Sequence, residues 1–108
     1  MAERKKRGLT DSMLAKASAA GKNELARPRA KVVRYDAKRV RLIIELVSGA
    51  TLDIALPMTA RLSKATDRQR GTMELTPFGL GIYWPLVDED LYVPRLVEQN
   101  TASLREAA

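Results

Sequence analysis

Two alternating runs on either side of a Ser-Gly pair constrain the fold of this chain most. Residues 40–47 and 51–56 both alternate in side-chain type, and successive side chains of a strand point to opposite faces. Ser48-Gly49 favours a hairpin between them, because Gly adopts positive φ at little cost. The apolar face is predicted to comprise Val40, Leu42, Ile44 and Leu46 on one strand and Leu52, Ile54 and Leu56 on the next.

Shorter β-rich segments flank this hairpin. Residues 30–35 predict a preceding strand, joined to the hairpin by a turn over 36–39. Residues 72–76 and 80–84 predict a fourth and a fifth strand, separated by a turn at Pro77-Phe78-Gly79. The first three strands, over residues 30–56, are predicted to form an antiparallel meander.

The remaining segments favour short helices. Thr10 is a candidate N-cap for a helix over residues 10–20. A second helical segment is predicted from Pro57 to residue 70, where Thr66 caps a further short turn and Gly71 ends the helix. A last short helix is predicted to begin at Val93.

The predicted fold class is α+β, with a small, mostly antiparallel sheet of about five short strands and two or three short helices. The 108 residues are enough for one such domain. We expect a disordered basic tail over 1–8, a helical arm and linker over 9–29, the domain over 30–98 and a C-terminal tail over 99–108. Asp88-Glu89-Asp90 is predicted to form an acidic turn before the last helix.

The absence of two residue types removes most catalytic chemistry. The chain has no Cys and no His, which excludes thiol catalysis, His-based triads and Cys-ligated zinc. We therefore expect a protein that is not an enzyme and that has no catalytic, cofactor-binding or metal-binding residues.

The charges are unevenly distributed along the chain. Residues 1–41 carry 13 basic and 4 acidic residues, whereas residues 71–108 carry 2 basic and 6 acidic residues. The basic excess predicts attraction to an acidic protein surface or to nucleic acid, although it is equally typical of a solubilising surface. The candidate contact residues are Arg27, Arg29, Lys31, Arg34, Lys38, Arg39 and Arg41.

Two motifs near the C-terminus have both a functional and a structural interpretation. Trp84-Pro85 is either a stacking surface or part of the core, and a domain of this size favours the core. Asp88-Glu89-Asp90 is either a metal-binding or acid–base cluster, or a set of residues that cap the last helix or fix a turn. The spacing does not resemble a known calcium loop, so we favour the second interpretation.

The same region resembles a known family. Its pattern is Gly81-Ile82-x-Trp84-Pro85, then Asp88-x-Asp90-Leu91, then Leu96. This is similar to the signature of the bacterial family called domain of unknown function 2442, over about residues 30–98 of this sequence. The resemblance implies a small α+β domain and a role on the antitoxin side of two-gene pairs. It also implies a structural role for Gly81, Trp84, Pro85, Asp88 and Asp90.

The sequence therefore predicts a non-enzymatic protein-interaction or regulatory module, and the resemblance implies that it is antitoxin-like. A protein partner or self-association is expected, and a nucleic-acid-binding regulator that uses the basic half is the alternative. No apolar stretch follows the basic start, and none approaches the length of a membrane span. We expect a cytoplasmic protein without membrane contact.

Overall fold

A computed structural model of the chain describes residues 27–106. Over this range the strands are β1 (Ala30–Asp36), β2 (Arg41–Leu46), β3 (Thr51–Ala55), β4 (Glu74–Leu75), β5 (Gly81–Trp84), β6 (Glu89–Tyr92) and β7 (Leu104–Arg105). The helices are α1 (Ala60–Ser63), α2 (Asp67–Gly71) and α3 (Val93–Gln99), with 3₁₀ turns at Pro77–Gly79 and Thr101–Ser103. The predicted tail over 1–8 and helix over 10–20 lie outside the described residues.

The strands form two antiparallel sheets, which confirms the predicted α+β class. The first sheet has the order β1-β2-β3-β7 and the second has the order β4-β5-β6. All pairings between neighbouring strands are antiparallel. The described residues therefore contain seven strands in two sheets, where the sequence predicted about five in one.

The central hairpin of the first sheet forms as predicted. Leu42 pairs with Ile54 and Ile44 pairs with Leu52, so the apolar faces of β2 and β3 coincide. All four residues are at most 4% exposed. The turn is closed by the Leu46 N–H, which donates to the Ala50 carbonyl over 2.8 Å, and Gly49 has a φ of 100°.

Val40 departs from the predicted strand. It precedes β2 and adopts a φ of 53°, a conformation that β-branched residues rarely take. Its carbonyl still accepts from the Leu56 N–H over 3.0 Å, and its side chain packs against the core. These contacts hold Val40 at the end of the sheet although its backbone is not extended.

The helical segment after the hairpin is divided into two by its caps. Thr59 is the N-cap of α1, and its Oγ1 accepts from the Leu62 N–H over 3.1 Å, so Pro57 lies before the helix rather than in its first turn. Thr66 caps α2 as predicted, through a capping box with Gln69. Of the helices within residues 27–106, none is long and apolar enough to cross a membrane.

Two strands occupy segments that were predicted to be a turn and a tail. Only Asp88 of the acidic triplet lies in a turn, because Glu89 and Asp90 begin β6 and pair with β5. Within the predicted C-terminal tail, Leu104 pairs with Leu52 on β3. These segments carry weak local signals, so their pairing with apolar strands decides their structure.

Trp84 joins the second sheet to the helices. Its side chain is completely buried, and its indole Nε1–H donates to the Arg70 carbonyl over 2.9 Å. The Arg70 guanidinium in turn donates to the carbonyls of Leu62 and Ser63 over 3.0 and 3.2 Å, which satisfies the C-terminal end of α1. One buried cluster contains residues of both sheets and of the helices, among them Leu42, Ile44, Leu52, Leu62, Ile82, Trp84, Val93 and Leu96.

Gly79 allows the turn before β5 to pack directly on β1. Its φ is +69°, and a Cβ at this position would lie 2.2 Å from the Ala30 carbonyl oxygen. Real Cβ atoms do not approach backbone so closely, so the contact between the β4–β5 turn and β1 requires glycine.

Substituting Gly79 is expected to push the β4–β5 turn away from β1. We predict that Gly79→Ala lowers the free energy of unfolding by more than about 1 kcal/mol, because the new Cβ meets both a steric clash and a strained backbone. Gly71→Ala is the matched control, since its Cβ would meet only Tyr35 Cδ2 at 3.8 Å. Urea denaturation of both variants measures the difference, and equal stabilities would contradict the contact.

Candidate partner-binding surface

The predicted basic residues are distributed along the whole length of β1 and both of its ends. Arg27 and Arg29 precede the strand, Lys31 and Arg34 lie within it, and Lys38, Arg39 and Arg41 follow it in the turn and at the start of β2. The seven-residue strand alone is about 20 Å long at the usual rise. The structure therefore does not bring the seven residues together into one compact patch.

Three of these residues contact carboxylates. Arg41 Nε lies 2.6 Å from Asp53 Oδ1, and its Nη2 donates to the Asp53 carbonyl over 2.8 Å. Arg39 pairs with Asp36 at 2.9 Å and with Asp53 at 3.8 Å. Arg34 lies 3.9 Å from Glu45. Much of the positive charge on this side of the protein is therefore neutralised by the protein itself.

These ion pairs surround the outer face of the first sheet, which is the face opposite the core. Arg34, Ile43 and Asp53 form one cross-strand row there, from β1 through β2 to β3. Ile43 is only 8% exposed although it lies outside the core cluster. Because the pairs remain open to solvent, they stabilise the fold little, and their main effect is on surface charge.

Phe78 is an exposed aromatic residue, for which the sequence predicts only a position in a turn. Its side chain is 49% exposed, and its backbone adopts a φ of +67°. The left-handed region costs a residue with a side chain roughly 1–2 kcal/mol. The Pro77-Phe78-Gly79 sequence predicts a turn, but it does not predict that the aromatic ring is exposed to solvent.

The turn that carries Phe78 is held on three sides. The Gly79 N–H donates to the Thr76 carbonyl over 3.0 Å, and the Thr76 N–H donates to the Gly81 carbonyl over 2.9 Å. On the third side, Gly79 packs against Ala30. The main chain around Phe78 is therefore fixed before any partner binds.

The family-signature residues lie in and beside the second sheet. Gly81 packs against Thr76, where a Cβ would lie 2.8 Å from Thr76 Oγ1. Trp84 is buried and offers no stacking surface, and Pro85 follows it at the start of the turn that contains Asp88. These positions shape the strand β5 and its exit.

The acidic triplet is divided between a turn and a strand. Asp88, with a φ of 54°, accepts from the Tyr83 hydroxyl over 3.1 Å, and its carboxylate lies 3.4 Å from Arg61. Asp90 pairs with Tyr83 in the second sheet, whereas Glu89 pairs with Trp84. Within residues 27–106, no group of three or more Asp, Glu, His or Cys residues is placed to hold a metal ion.

Neither aspartate caps the last helix. The N-cap of α3 is Tyr92, whose side chain makes no capping hydrogen bond, and Pro94 lies in the first turn. The prediction that α3 begins at Val93 is confirmed. Of the structural roles considered for the triplet, only the fixing of a turn by Asp88 matches the contacts observed.

The Asp36–Arg39 pair in the β1–β2 turn gives the surface a measurable pH response. The Arg39 side chain donates to the Asp36 carboxylate, and with the Arg39 backbone N–H it holds the pKa of Asp36 below its ordinary value of 3.8. A carboxyl whose pKa is lower in the folded state stabilises the fold above its unfolded pKa. That contribution is lost as the pH falls through the folded pKa.

We predict that the Asp36 carboxyl titrates below pH 3.8 in the folded protein and that Arg39→Ala raises the midpoint toward that value. The side-chain carboxyl ¹³C shift, followed by NMR from neutral to acid pH, measures both midpoints. Lys38→Ala is the control, because its side chain makes no ion pair with Asp36. A parent midpoint at or above 3.8 would contradict the observed pairing.

Comparisons with known proteins identify the family of the chain. Residues 30–102 match the family described as "Protein of unknown function (DUF2442)". Among solved structures, the chain is similar to a protein of unknown function from Rhodospirillum rubrum ATCC 11170, whose crystal structure was determined at 2.75 Å resolution. The two are 33% identical with a TM-score of 0.61, over 67% of this chain and 87% of that chain. No curated protein matches the sequence. Because the family match covers more than half of its residues, the chain belongs to the DUF2442 family of proteins of unknown function.

Proposed function

We propose that this chain is a non-enzymatic interaction module of an antitoxin-like or regulatory kind, which binds a partner protein through the turn that presents Phe78. The observation that carries the proposal is the exposure of an aromatic ring on a strained, fixed backbone. The proposal is for binding rather than catalysis because the sequence lacks His and Cys.

Exposed aromatic residues on rigid turns are effective anchors for protein partners. Phe, Tyr and Trp are enriched at protein–protein interfaces relative to the rest of the protein surface. A backbone that is already fixed loses little conformational entropy when the partner arrives. Strained residues persist where the surrounding structure holds them, and they concentrate at functional sites. Phe78 combines these properties with 49% exposure.

The surface charges favour a protein partner over a nucleic acid. Phosphate binding by Arg and Lys depends on cations that are free to replace counterions. Arg34, Arg39 and Arg41 each contact a carboxylate of the same chain, so phosphates would have to compete with Glu45, Asp36 and Asp53. The alternative, a nucleic-acid-binding regulator, is retained as an outcome of the test below.

We predict that Phe78→Asn lowers capture of the partner at least about tenfold, because the aromatic anchor is lost. Asn tolerates the left-handed backbone, so the free energy of unfolding stays within about 1 kcal/mol of the parent. Capture is measured by a tagged pull-down from the native host, with nuclease and at moderate salt, and stability by urea denaturation.

Leu86→Asn is the matched control for this experiment. Leu86 is also a large apolar residue, 43% exposed, but it lies in the turn after β5. The proposal requires that this variant captures the partner as the parent does. Equal losses in both variants, or none in either, would overturn the role of Phe78.

A second arm separates the two kinds of partner. If nucleic acid is the partner, the captured material disappears with nuclease, and its binding weakens steeply as salt rises. Replacing Arg34, Arg39 and Arg41 together with Ala would then reduce binding further. We predict instead that this triple variant still captures the protein partner, because in the parent these three arginines pair with carboxylates of the same chain.

A further inference from the structure

A groove of about 360 Å³ opens where the β2–β3 hairpin, α3 and β7 meet the segment before β1. Its apolar lining includes Leu46, Ala50, Val97 and Leu104. Leu46, Ala50 and Val97 are at most 7% exposed, so the bottom of the groove is the edge of the hydrophobic core. A ligand that enters it can bury apolar surface without displacing a polar layer.

The charged residues that line the same groove are more basic than acidic. Arg27 and Arg29 contribute two guanidinium groups, whereas Glu106 contributes one carboxylate. The Arg29 main chain is fixed, because its carbonyl accepts from the Val47 N–H over 2.8 Å. Its side chain, on a half-buried residue, makes no ion pair or hydrogen bond with any of residues 27–106. The groove therefore combines an apolar interior with a cation that has no partner among residues 27–106.

From this complementarity we infer that the groove binds an extended acidic segment of the partner protein, with an apolar side chain inside and a carboxylate on Arg29. This inference names the ligand class for the proposed function and rests on it. An apolar side chain gains burial against Leu46 and Val97. A carboxylate matches the planar, two-donor geometry of a guanidinium, which favours an acidic peptide.

The position of the groove is consistent with a single binding surface that includes Phe78. Gly79 packs on the backbone of Ala30, the residue that follows Arg29. Val47, which is 52% exposed, borders the groove on the hairpin side. The aromatic turn and the groove therefore both contact the chain near the start of β1, the turn at Ala30 and the groove at Arg29.

The test uses the full chain, labelled with ¹⁵N, and two capped pentapeptides as probes. One alternates Glu and Leu, and the other alternates Lys and Leu. We expect saturable amide shifts at Ser48, Ala50, Val97 and Leu104 with the acidic peptide and none with the basic peptide. No saturable shifts at these positions, equal shifts with both peptides, or larger shifts there with a short single-stranded DNA would overturn the inference.

Charge reversal provides the matched pair of variants. We expect Arg29→Glu to weaken binding of the acidic peptide at least about tenfold. Lys38→Glu makes the same change of charge in the β1–β2 turn, outside the groove, and is expected to weaken it less than about twofold. Equal losses would show attraction to overall charge and overturn the inference. Arg29→Gln serves if Arg29→Glu fails to fold, with the same expected order of affinities.

The two proposals fail in different ways. If the acidic peptide does not bind while capture of the partner still depends on Phe78, the groove is not the site and the proposed function stands. If the peptide binds in the groove but Phe78→Asn captures the partner normally, the proposed role of Phe78 fails and the groove remains a peptide site.

Discussion

The close approach of Gly79 to the backbone of Ala30 is the contact on which the arrangement of this protein depends. It places the turn between β4 and β5 of the second sheet directly against the first strand of the first sheet. The approach requires a residue without Cβ, and the turn around it leaves Phe78 in a left-handed conformation with its ring half-exposed. The same contact that joins the sheets therefore presents the aromatic residue to solvent.

Folding brings acidic residues next to many of the basic residues, so the basic excess in the sequence does not become a uniformly basic surface. Along the sequence, the first 41 residues are strongly basic. In the folded chain, Asp53 comes from a later strand and contacts both Arg39 and Arg41, while Glu45 approaches Arg34. The outer face of the first sheet is thus a mixed, internally paired surface. Arg29 differs because its side chain makes no ion pair with any of residues 27–106, although Glu106 lines the same apolar groove.

The features predicted correctly have local signals, whereas those missed depend on distant residues. The β2–β3 hairpin follows from alternation around Ser48-Gly49, and the cap of α2 from the spacing of Thr66 and Gln69. β7 was missed because two residues of ordinary composition become a strand only beside β3. The Arg41–Asp53 pair could have been predicted from the sequence, because the predicted hairpin places both residues on its polar face. The positive φ of Phe78 has no counterpart in the sequence, since it arises from packing of its neighbour.

The conformation of Phe78 in the free protein tests this account most directly. Because the turn is fixed before any partner binds, NMR of the unbound chain is predicted to show a strong intraresidue H–N to Hα contact at Phe78, as positive φ requires. A fixed turn also predicts a backbone order parameter near the rigid value of about 0.85. A negative φ, or an order parameter below about 0.6, would contradict a preformed anchor.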